Sequence, residues 1–443
     1  MKIIIIGGTS AGTSAAAKAK RLNKNLDITI YEKTNIVSFG TCGLPYFIGG
    51  FFDNPNTMIS RTKKEFEKTG ISVKTNHEVI KVDTKSNTIT VKNQKAGKIL
   101  SNAYDKLMIA TGAKPIIPPI DNINLKNFYT LRNLEDGQKI KTLMNKEEIK
   151  NIVIIGAGYI GIEMIEAAKN KRKNVRLIQL DKHVLIDSFD EEIAKIMEEE
   201  LIEKGVNLHT SEFVKSLIGE KKVEGVVTNK NTYQADVVIL ATGIKPATEF
   251  LENQLKTTAN GAIIVNEYGE TSIKNIFSAG DCATIYNIVS KQNEYIPLAT
   301  TANKLGRIVG ENLAGNHVPF KGTLGSASIK ILSLEAARTG LTEKDAKKLK
   351  LKYKTILIKD KNHTNYYPDP EDIYIKLIYE ENTKIILGAQ AIGKNGAVIR
   401  IHALSIAIYS KLTTRELGMM DFSYSPPFSR TWDILNIAGN AAK

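Results

Sequence analysis

The hydrophobic pattern of the chain repeats one order of segments. A short aliphatic run is followed by a glycine turn, and the turn is followed by a longer amphipathic stretch. Ile3–Ile6 leads into a glycine turn, an alanine-rich helical stretch and then the apolar run Asp27–Tyr31. The same order returns when Ile152–Ile155 leads into a second glycine turn, a helical stretch and the run Val175–Leu180. A strand, a tight glycine turn, a helix and a second strand make a βαβ unit, so the pattern predicts two nucleotide-binding units.

Two further apolar runs mark where the chain passes between these units. Tyr104–Ala110 and Asp236–Ala241 each end in a Thr-Gly-x-Lys-Pro turn, which indicates an inter-domain crossing. Beyond about Gly322, short strands and a helix over Ala397–Tyr409 predict an α+β domain with an antiparallel sheet. The predicted fold is α/β, with Rossmann-like nucleotide-binding domains over 1–114 with 242–321 and over 115–241, and a C-terminal α+β domain over 322–443.

Composition narrows the class of protein. The 443 residues are 42% hydrophobic, and no stretch reaches the roughly 18 apolar residues of a membrane span, so we expect no membrane association. The net charge of +14 is typical of a lysine-rich surface. If the charge serves binding, a phosphorylated small molecule is a better partner than nucleic acid, because the basic runs lack interleaved aromatic residues. Two cysteines, Cys42 and Cys282, favour a reducing, cytoplasmic location.

The second glycine turn has the spacing of a dinucleotide-binding loop. Gly156 permits the tight turn, Gly158 lets the backbone approach a pyrophosphate, and Gly161 lets the helix pack on the strand. The position expected to contact the ribose is Gln179, whose neutral amide neither requires a 2′-hydroxyl nor repels a 2′-phosphate. The sequence therefore allows either NADH or NADPH as the nucleotide. Gly161, a glycine rather than an alanine at the last position of the motif, slightly favours NADH.

The first glycine turn departs from this spacing at one position. Thr9 stands where the middle glycine would be, while Glu32, at the end of the next strand, can bind ribose hydroxyls or can simply be a solvated strand end. Farther along, a short strand runs into Gly280 and Asp281, which we expect at the start of a helix. An aspartate there could accept hydrogen bonds from a flavin's ribityl chain, so the two nucleotides are predicted to be FAD and a pyridine nucleotide.

Cys42 is the candidate nucleophile. It follows the first βαβ opening in a glycine-flanked turn, and a helix beginning nearby would lower the thiol pKa. No second cysteine lies within a few residues, so any disulfide or oxidised form must use an external partner or oxygen. The alternative for Cys42 is a small buried hydrophobe, which is the role we expect for Cys282. No histidine and cysteine spacing indicates a metal site.

Together these motifs resemble the single-cysteine branch of the pyridine nucleotide–disulfide oxidoreductases, which contains coenzyme A-disulfide reductases, NADH oxidases and NADH peroxidases. The resemblance covers essentially the whole chain. The segment from Ser38 to Tyr46, with Leu44 and Pro45 after the cysteine, is similar to that of the coenzyme A-disulfide reductases. Two tyrosine motifs near the C-terminus, around Tyr366 and Tyr424, also resemble those reductases, apart from a serine after Tyr424 where alanine is common.

The resemblance implies an FAD-binding first domain, an NAD(P)H-binding second domain and a C-terminal dimerisation domain. With the motifs, it assigns the cofactors to Gly7, Gly8, Ala11, Gly12, Glu32, Lys33, Thr111, Gly112, Gly156, Gly158, Tyr159, Ile160, Gly161, Gln179, Gly243, Gly280 and Asp281. It assigns coenzyme A to Ser14, Lys18, Arg21, Ser38, Thr41, Asn303 and Trp432. Lys18 and Arg21 are three residues apart, which puts both on one helical face, as a phosphate group requires.

The implied activity is FAD-dependent reduction of coenzyme A disulfide by NADH or NADPH, through a mixed disulfide of Cys42 with coenzyme A. Tyr159 would cover the nicotinamide face of the flavin, and Tyr424, with Tyr366, would serve the departing thiolate from the other subunit of a homodimer. Three alternatives stay open: an NADH oxidase or peroxidase with a sulfenic acid at Cys42, a polysulfide reductase, and a flavin-binding redox sensor without turnover.

Overall fold

The computed structural model describes all residues from Met1 to Lys443. Residues 1–115 form the strands β1 (Lys2–Ile6), β2 (Asp27–Glu32), β3 (Ile71–Thr75), β4 (His77–Asp83), β5 (Thr88–Asn93), β6 (Ile99–Ala103), β7 (Lys106–Ile109) and β8 (Ala113–Pro115). The helices of this part are α1 (Ser10–Leu22), α2 (Leu44–Gly49) and α3 (Lys63–Glu67), with 3₁₀ turns at Thr41–Gly43 and Pro55–Met58.

Residues 116–246 form a second set of elements. The strands are β9 (Phe128–Thr130), β10 (Asn151–Ile155), β11 (Asn174–Ile178), β12 (Val206–His209), β13 (Val214–Ile218), β14 (Gly225–Thr228), β15 (Thr232–Gln234), β16 (Val237–Leu240) and β17 (Ile244–Pro246). The helices are α4 (Leu134–Met144), α5 (Tyr159–Asn170) and α6 (Glu191–Glu203).

The remaining elements begin after a 3₁₀ turn at Glu249–Leu251. The strands are β18 (Ile276–Ser278), β19 (Ile285–Asn287), β20 (Gln292–Glu294), β21 (Ala327–Ile331), β22 (Leu334–Gly340), β23 (Tyr353–Lys361), β24 (Asp372–Glu380) and β25 (Ile386–Gly393). The helices are α7 (Ala299–Leu313), α8 (Glu343–Lys348), α9 (Ala397–Tyr409), α10 (Thr414–Gly418) and α11 (Ile434–Ala441).

Two parallel five-stranded sheets carry the two glycine loops. The first has the order β18-β7-β1-β2-β3, and the second has the order β12-β11-β10-β16-β9. In each sheet the strand that precedes the glycine loop is central and its isoleucines are buried, because helices pack on one face and a three-stranded antiparallel sheet packs on the other. The chain returns to the first sheet when β18 pairs with β7. Both loops therefore leave the carboxyl edge of a parallel sheet, where ligands bind in such folds.

The two predicted crossings lie side by side. β8 pairs antiparallel with β17, with Ala113 opposite Pro246 and Pro115 opposite Ile244. The segments that leave the first sheet and return from the second thus form one two-stranded ribbon. This ribbon places the carboxyl edges of both sheets around a shared space.

The C-terminal part is the antiparallel α+β structure that the sequence predicts. Its sheet has the order β21-β22-β25-β24-β23, with α9 packed on β22 and β25. The predicted fold class, α/β with a C-terminal α+β domain, is confirmed. Ile399 and Ile406 of α9 are exposed, which leaves an apolar face on this domain. No helix combines the length and the apolar composition that crossing a bilayer would need.

Candidate active site

One cavity of about 3070 Å³ lies between the two sheets and the C-terminal domain. Most of the predicted cofactor residues line it: Gly7, Ala11, Glu32, Lys33, Thr111, Gly112, Gly156, Gly158, Tyr159, Ile160, Gln179, Gly243, Gly280 and Asp281. Gly8, Gly12 and Gly161 are absent from this lining and belong to the turns and helix starts behind it. The structure therefore brings both glycine loops, the cysteine turn and the Gly-Asp segment to one space.

The first glycine loop needs its glycines for steric reasons. Gly7 has φ +106°, and a Cβ there would stand 2.1 Å from the carbonyl oxygen of Ala110. A Cβ on Gly12 would stand 2.1 Å from the carbonyl oxygen of Gly7. Glu32 is buried, and its Oε2 accepts a 2.8 Å hydrogen bond from the amide of Gly8. It is not a solvated strand end, since its carboxylate orders the loop.

The second loop repeats this geometry with a neutral side chain. Gly156 has φ +102°, and a Cβ there would stand 2.5 Å from the oxygen of Ala241. Gln179 Oε1 accepts a 2.9 Å hydrogen bond from the amide of Ala157, and its Nε2 donates a 2.9 Å bond to Asp181. Asp181 was missed by the sequence analysis, although it lies only two residues beyond Gln179.

Both loops fit the pyrophosphate of a dinucleotide. No heavy atom lies within 4 Å of where a Cβ on Gly158 would stand, so the space beside this backbone is open to a ligand. No side chain caps the N-terminus of α1 or of α5, whose first amides are therefore available to an anion. A cavity of this size and these two cradles can take FAD and a nicotinamide nucleotide together.

The segment at Gly280 differs from the prediction. Gly280 and Asp281 form a turn closed by the hydrogen bond from the amide of Ala283, and no helix starts there. Gly280 has φ +88° and packs against Ala11 of α1, which fixes the turn at the cavity. Burial raises the pKa of Asp281, and the guanidinium of Arg132, at 3.6 Å, opposes that shift.

Cys42 stands on the 3₁₀ turn just before α2, with its side chain exposed at the cavity. The expectation of a lowered thiol pKa is wrong. The protein packed around the thiol raises the pKa of Cys42, and the carboxylates of Glu163 and Asp281 raise it further against the pull of Arg132. The helix that follows is only six residues long, so its dipole is too weak to reverse this. Cys282 is fully buried.

Glu163 is a residue of the site that the sequence analysis missed. It lies one turn after Tyr159 on α5 and lines the cavity, and Tyr46 of α2 is its neighbour. Burial and the neighbouring carboxylate of Glu166 raise the pKa of Glu163 to about 7. The spacing of four residues from Tyr159 was a usable signal, because it places the acid on the same helical face.

The predicted coenzyme A residues do not all lie together. Ser14 on α1 donates a 2.8 Å hydrogen bond to Asn303 on α7, so these two lie together. Lys18 forms an ion pair at 3.2 Å with Glu311 of α7, whereas Arg21 is exposed. Hence one predicted phosphate contact is already paired and the other is free. Thr41 lines the cavity, and Ser38 and Trp432 do not.

The two C-terminal tyrosines meet, but away from the cavity. Their hydroxyls are 2.7 Å apart, and Tyr366 and Tyr424 are 74% and 43% exposed. Neither contributes to the cavity lining. Trp432, 53% exposed, lies in the segment that follows Tyr424. Within one chain, therefore, the structure does not bring Tyr424 to Cys42.

Two nucleotide cradles, a thiol between them and a separate C-terminal sheet define a dinucleotide-dependent redox enzyme of the disulfide reductase type. The sequence profile described as pyridine nucleotide-disulphide oxidoreductase matches residues 1–306, and the profile of the corresponding dimerisation domain matches residues 326–434. The chain belongs to this family and is an NAD(P)H-dependent flavoprotein oxidoreductase.

Its relatives carry more than one activity. The NAD(P)H coenzyme A polysulfide/persulfide reductase of Pyrococcus horikoshii is 38% identical, over 100% of this chain and 98% of that protein. An NADH oxidase of Enterococcus faecalis is 34% identical, over 100% of this chain and 99% of that protein. The structure of reduced CoADR-RHD from Bacillus anthracis superposes with a TM-score of 0.95 at 33% identity, covering 100% of this chain and 80% of that one.

Proposed function

We propose that this protein is an FAD-dependent NAD(P)H:coenzyme A-disulfide reductase that cycles Cys42 through a mixed disulfide with coenzyme A. One observation carries the proposal: Cys42 is an exposed thiol at the dinucleotide cavity, and the second cysteine, Cys282, is buried. An enzyme with one reachable thiol cannot form an internal disulfide. The second sulfur must therefore come from outside the chain.

The chemistry balances with this single thiol. The Cys42 thiolate attacks a disulfide RS–SR, forms the mixed disulfide and releases one RS⁻. FAD, which the first glycine loop and Glu32 would hold, would supply the transfer of the electron pair from NAD(P)H to that mixed disulfide. Cleavage then restores the Cys42 thiolate and releases the second RS⁻, so the sum is NAD(P)H + H⁺ + RSSR → NAD(P)⁺ + 2 RSH. Tyr159, at the start of α5 in the cavity wall, would cover the nicotinamide face.

The exposed seam where α1 packs on α7, at Ser14 and Asn303, is the proposed site for coenzyme A. Ser14 and Asn303 tie the two helices together there, and Arg21 presents an unpaired guanidinium that can bind a phosphate. Lys18 would have to leave Glu311 before it could do the same. We therefore expect Arg21 to contribute more to coenzyme A affinity than Lys18.

We propose that the tyrosine pair acts on the other subunit of a homodimer. Tyr366 and Tyr424 are exposed and lie outside their own cavity, on the domain whose family profile is named for dimerisation. A two-fold axis would carry both hydroxyls to the partner's Cys42 turn, where Tyr424 would hydrogen-bond the departing thiolate. Mixing inactive Cys42→Ser and Tyr424→Phe proteins under subunit exchange should then restore about a quarter of the wild-type activity. With exchange verified, no recovery contradicts action across the dimer.

The nucleotide is proposed to be NADH. Gln179 itself is neutral, but its amide holds the carboxylate of Asp181 at 2.9 Å, beside the ribose position. A 2′-phosphate would meet that negative charge.

Mass spectrometry of the purified protein under non-reducing conditions tests the proposed acceptor. A coenzyme A adduct on Cys42, removed by dithiothreitol, supports the reductase. An added oxygen on Cys42 instead supports the oxidase or peroxidase chemistry that one relative's name suggests. Cys42→Ser is the control, and it should carry neither modification.

A further inference from the structure

Glu163 stands between two cavities. It lines the large cavity that holds Cys42, and it also lines a smaller cavity of about 310 Å³ against the C-terminal domain. Tyr46 lines the smaller cavity beside it. The rest of that wall includes Lys330, Ser333 and Lys394, so the smaller cavity is polar and has room for several water molecules at roughly 30 Å³ each.

The Tyr46–Glu163 pair is coupled electrostatically to the nucleophile. Burial raises the pKa of the Cys42 thiol and that of the Tyr46 phenol, the latter to about 12, and the carboxylate of Glu163 raises both further. Tyr46 therefore stays protonated, while the pKa of Glu163 lies at about 7. At neutral pH this carboxyl group can either carry a proton or release it.

We propose that Glu163, which lines both cavities beside Tyr46, stores the proton that disulfide reduction consumes and exchanges it with water through the smaller cavity. The half-reaction is RS–SR′ + 2 e⁻ + H⁺ → RS⁻ + R′SH, in which NAD(P)H supplies the electrons. The proton goes to the leaving thiolate. Cys42 is released as a thiolate, which must attack the next disulfide before it takes up a proton, because its pKa is raised. This inference rests on the proposed function only for the role of Cys42.

Charged groups face the pair from both cavities. Glu166, one turn along α5, is paired with Lys330 of β21 at 2.5 Å and raises the pKa of Glu163. Across the smaller cavity lie Glu335 and Lys394, the latter paired with Glu371. On the side of the large cavity, Asp281 and Arg132 act on the Cys42 thiol with opposite signs.

The Glu166–Lys330 ion pair supplies a matched pair of variants. Glu166→Gln and Lys330→Gln break the same contact, yet the first removes a negative charge from near Glu163 and the second leaves that charge unpaired. The pKa of Glu163 should fall in Glu166→Gln and rise in Lys330→Gln. A purely structural role of the ion pair would shift both variants in the same direction.

The first experiment measures alkylation of Cys42 by iodoacetamide across pH on the reduced, FAD-containing enzyme, without any disulfide substrate. Loss of the nearby negative charge in Glu163→Gln should lower the pKa of Cys42 and raise the alkylation rate at pH 7.5 about threefold. An unchanged alkylation profile overturns the proposal. Because no coenzyme A is used, this outcome is independent of the substrate assignment.

The second experiment follows turnover against pH. A protonated Glu163 is needed to give its proton, so the rate should fall as pH rises through about 7 in the wild-type enzyme, whose Glu163 has a pKa of about 7. This limb should move to lower pH in Glu166→Gln and to higher pH in Lys330→Gln, and it should vanish in Glu163→Gln. Shifts of equal sign in the two matched variants, or a retained limb in Glu163→Gln, contradict the proton-storing role.

Discussion

The two glycine loops are near copies in backbone and differ in what they offer a ribose. Gly8 and Ala157 each donate an amide hydrogen bond to the side chain at the end of the next strand. The segment that follows covers each loop in the same way: Ser38 and Leu185 both have positive φ, 54° and 50°, and both donate an amide hydrogen bond to the loop, at 2.7 and 3.0 Å. The two glycine loops are therefore held by the same backbone arrangement.

The difference lies in charge and in openness. The first loop has buried, ionisable Glu32, with both oxygens held by backbone amides, and Thr9 before its helix. The second has neutral Gln179 and a bare Gly158 facing open space. We infer that the first loop suits a cofactor that stays bound and the second suits a nucleotide that binds and leaves in each turnover.

Alanine at the first glycine of each loop should have the largest effect. Gly7→Ala and Gly156→Ala put a Cβ into a carbonyl group at positive φ, and each should lose about 1–3 kcal/mol of the free energy of unfolding. Gly7→Ala should also release FAD, whereas Gly156→Ala should keep FAD and lose reduction by NADH. Flavin fluorescence of the filtrate and anaerobic reduction kinetics measure this. Equal loss of FAD in both variants would contradict separate roles.

Copying the charge of the first loop into the second should have an intermediate effect. Gln179→Glu adds a carboxylate near the 2′ position, so the KM for NADPH should rise about tenfold or more, equivalent to about 1.4 kcal/mol, while that for NADH changes little. Asp181→Asn removes a carboxylate from the same place, so it should lower the KM for NADPH. The check is kcat/KM for both nucleotides in each variant. If Gln179→Glu weakens NADH as much as NADPH, the charge argument is wrong.

A methyl group at Gly158 should have the smallest effect on the fold. The protein leaves space for it, so Gly158→Ala should change the free energy of unfolding by less than about 0.5 kcal/mol. The KM for NADH should still rise, because the backbone could no longer approach the pyrophosphate. Thr9→Gly is the counterpart in the first loop, and we expect it to retain FAD. A destabilised Gly158→Ala protein with normal NADH affinity would reverse this interpretation.

Local sequence patterns were enough to predict the sheets and the loops. Gly156, Gly161 and Gln179 lie within one βαβ unit, so their spacing alone fixes where they meet. The helix Ala397–Tyr409 was predicted with the bounds that the structure gives it. Patterns of this kind work where neighbours in space are also neighbours in the chain.

The charges of the site could not be predicted in this way. The pKa of Cys42 is raised first by burial and then by Glu163 and Asp281, and all three effects come from parts of the chain that are distant in sequence. The ion pair of Lys18 with Glu311 arises only because α1 packs on α7. Sequence spacing identified residues able to bind a phosphate, but only packing shows which of them is already paired.

Turnover of coenzyme A disulfide by Cys42→Ser and Cys282→Ser, both purified with FAD, tests the central claim that one exposed thiol carries the reaction. Cys42→Ser should retain FAD and its reduction by NADH, and it should lose disulfide turnover by about 100-fold or more. Cys282→Ser should stay within about twofold of the wild-type rate if it folds normally. A Cys42→Ser enzyme that keeps a substantial fraction of wild-type turnover would contradict the account.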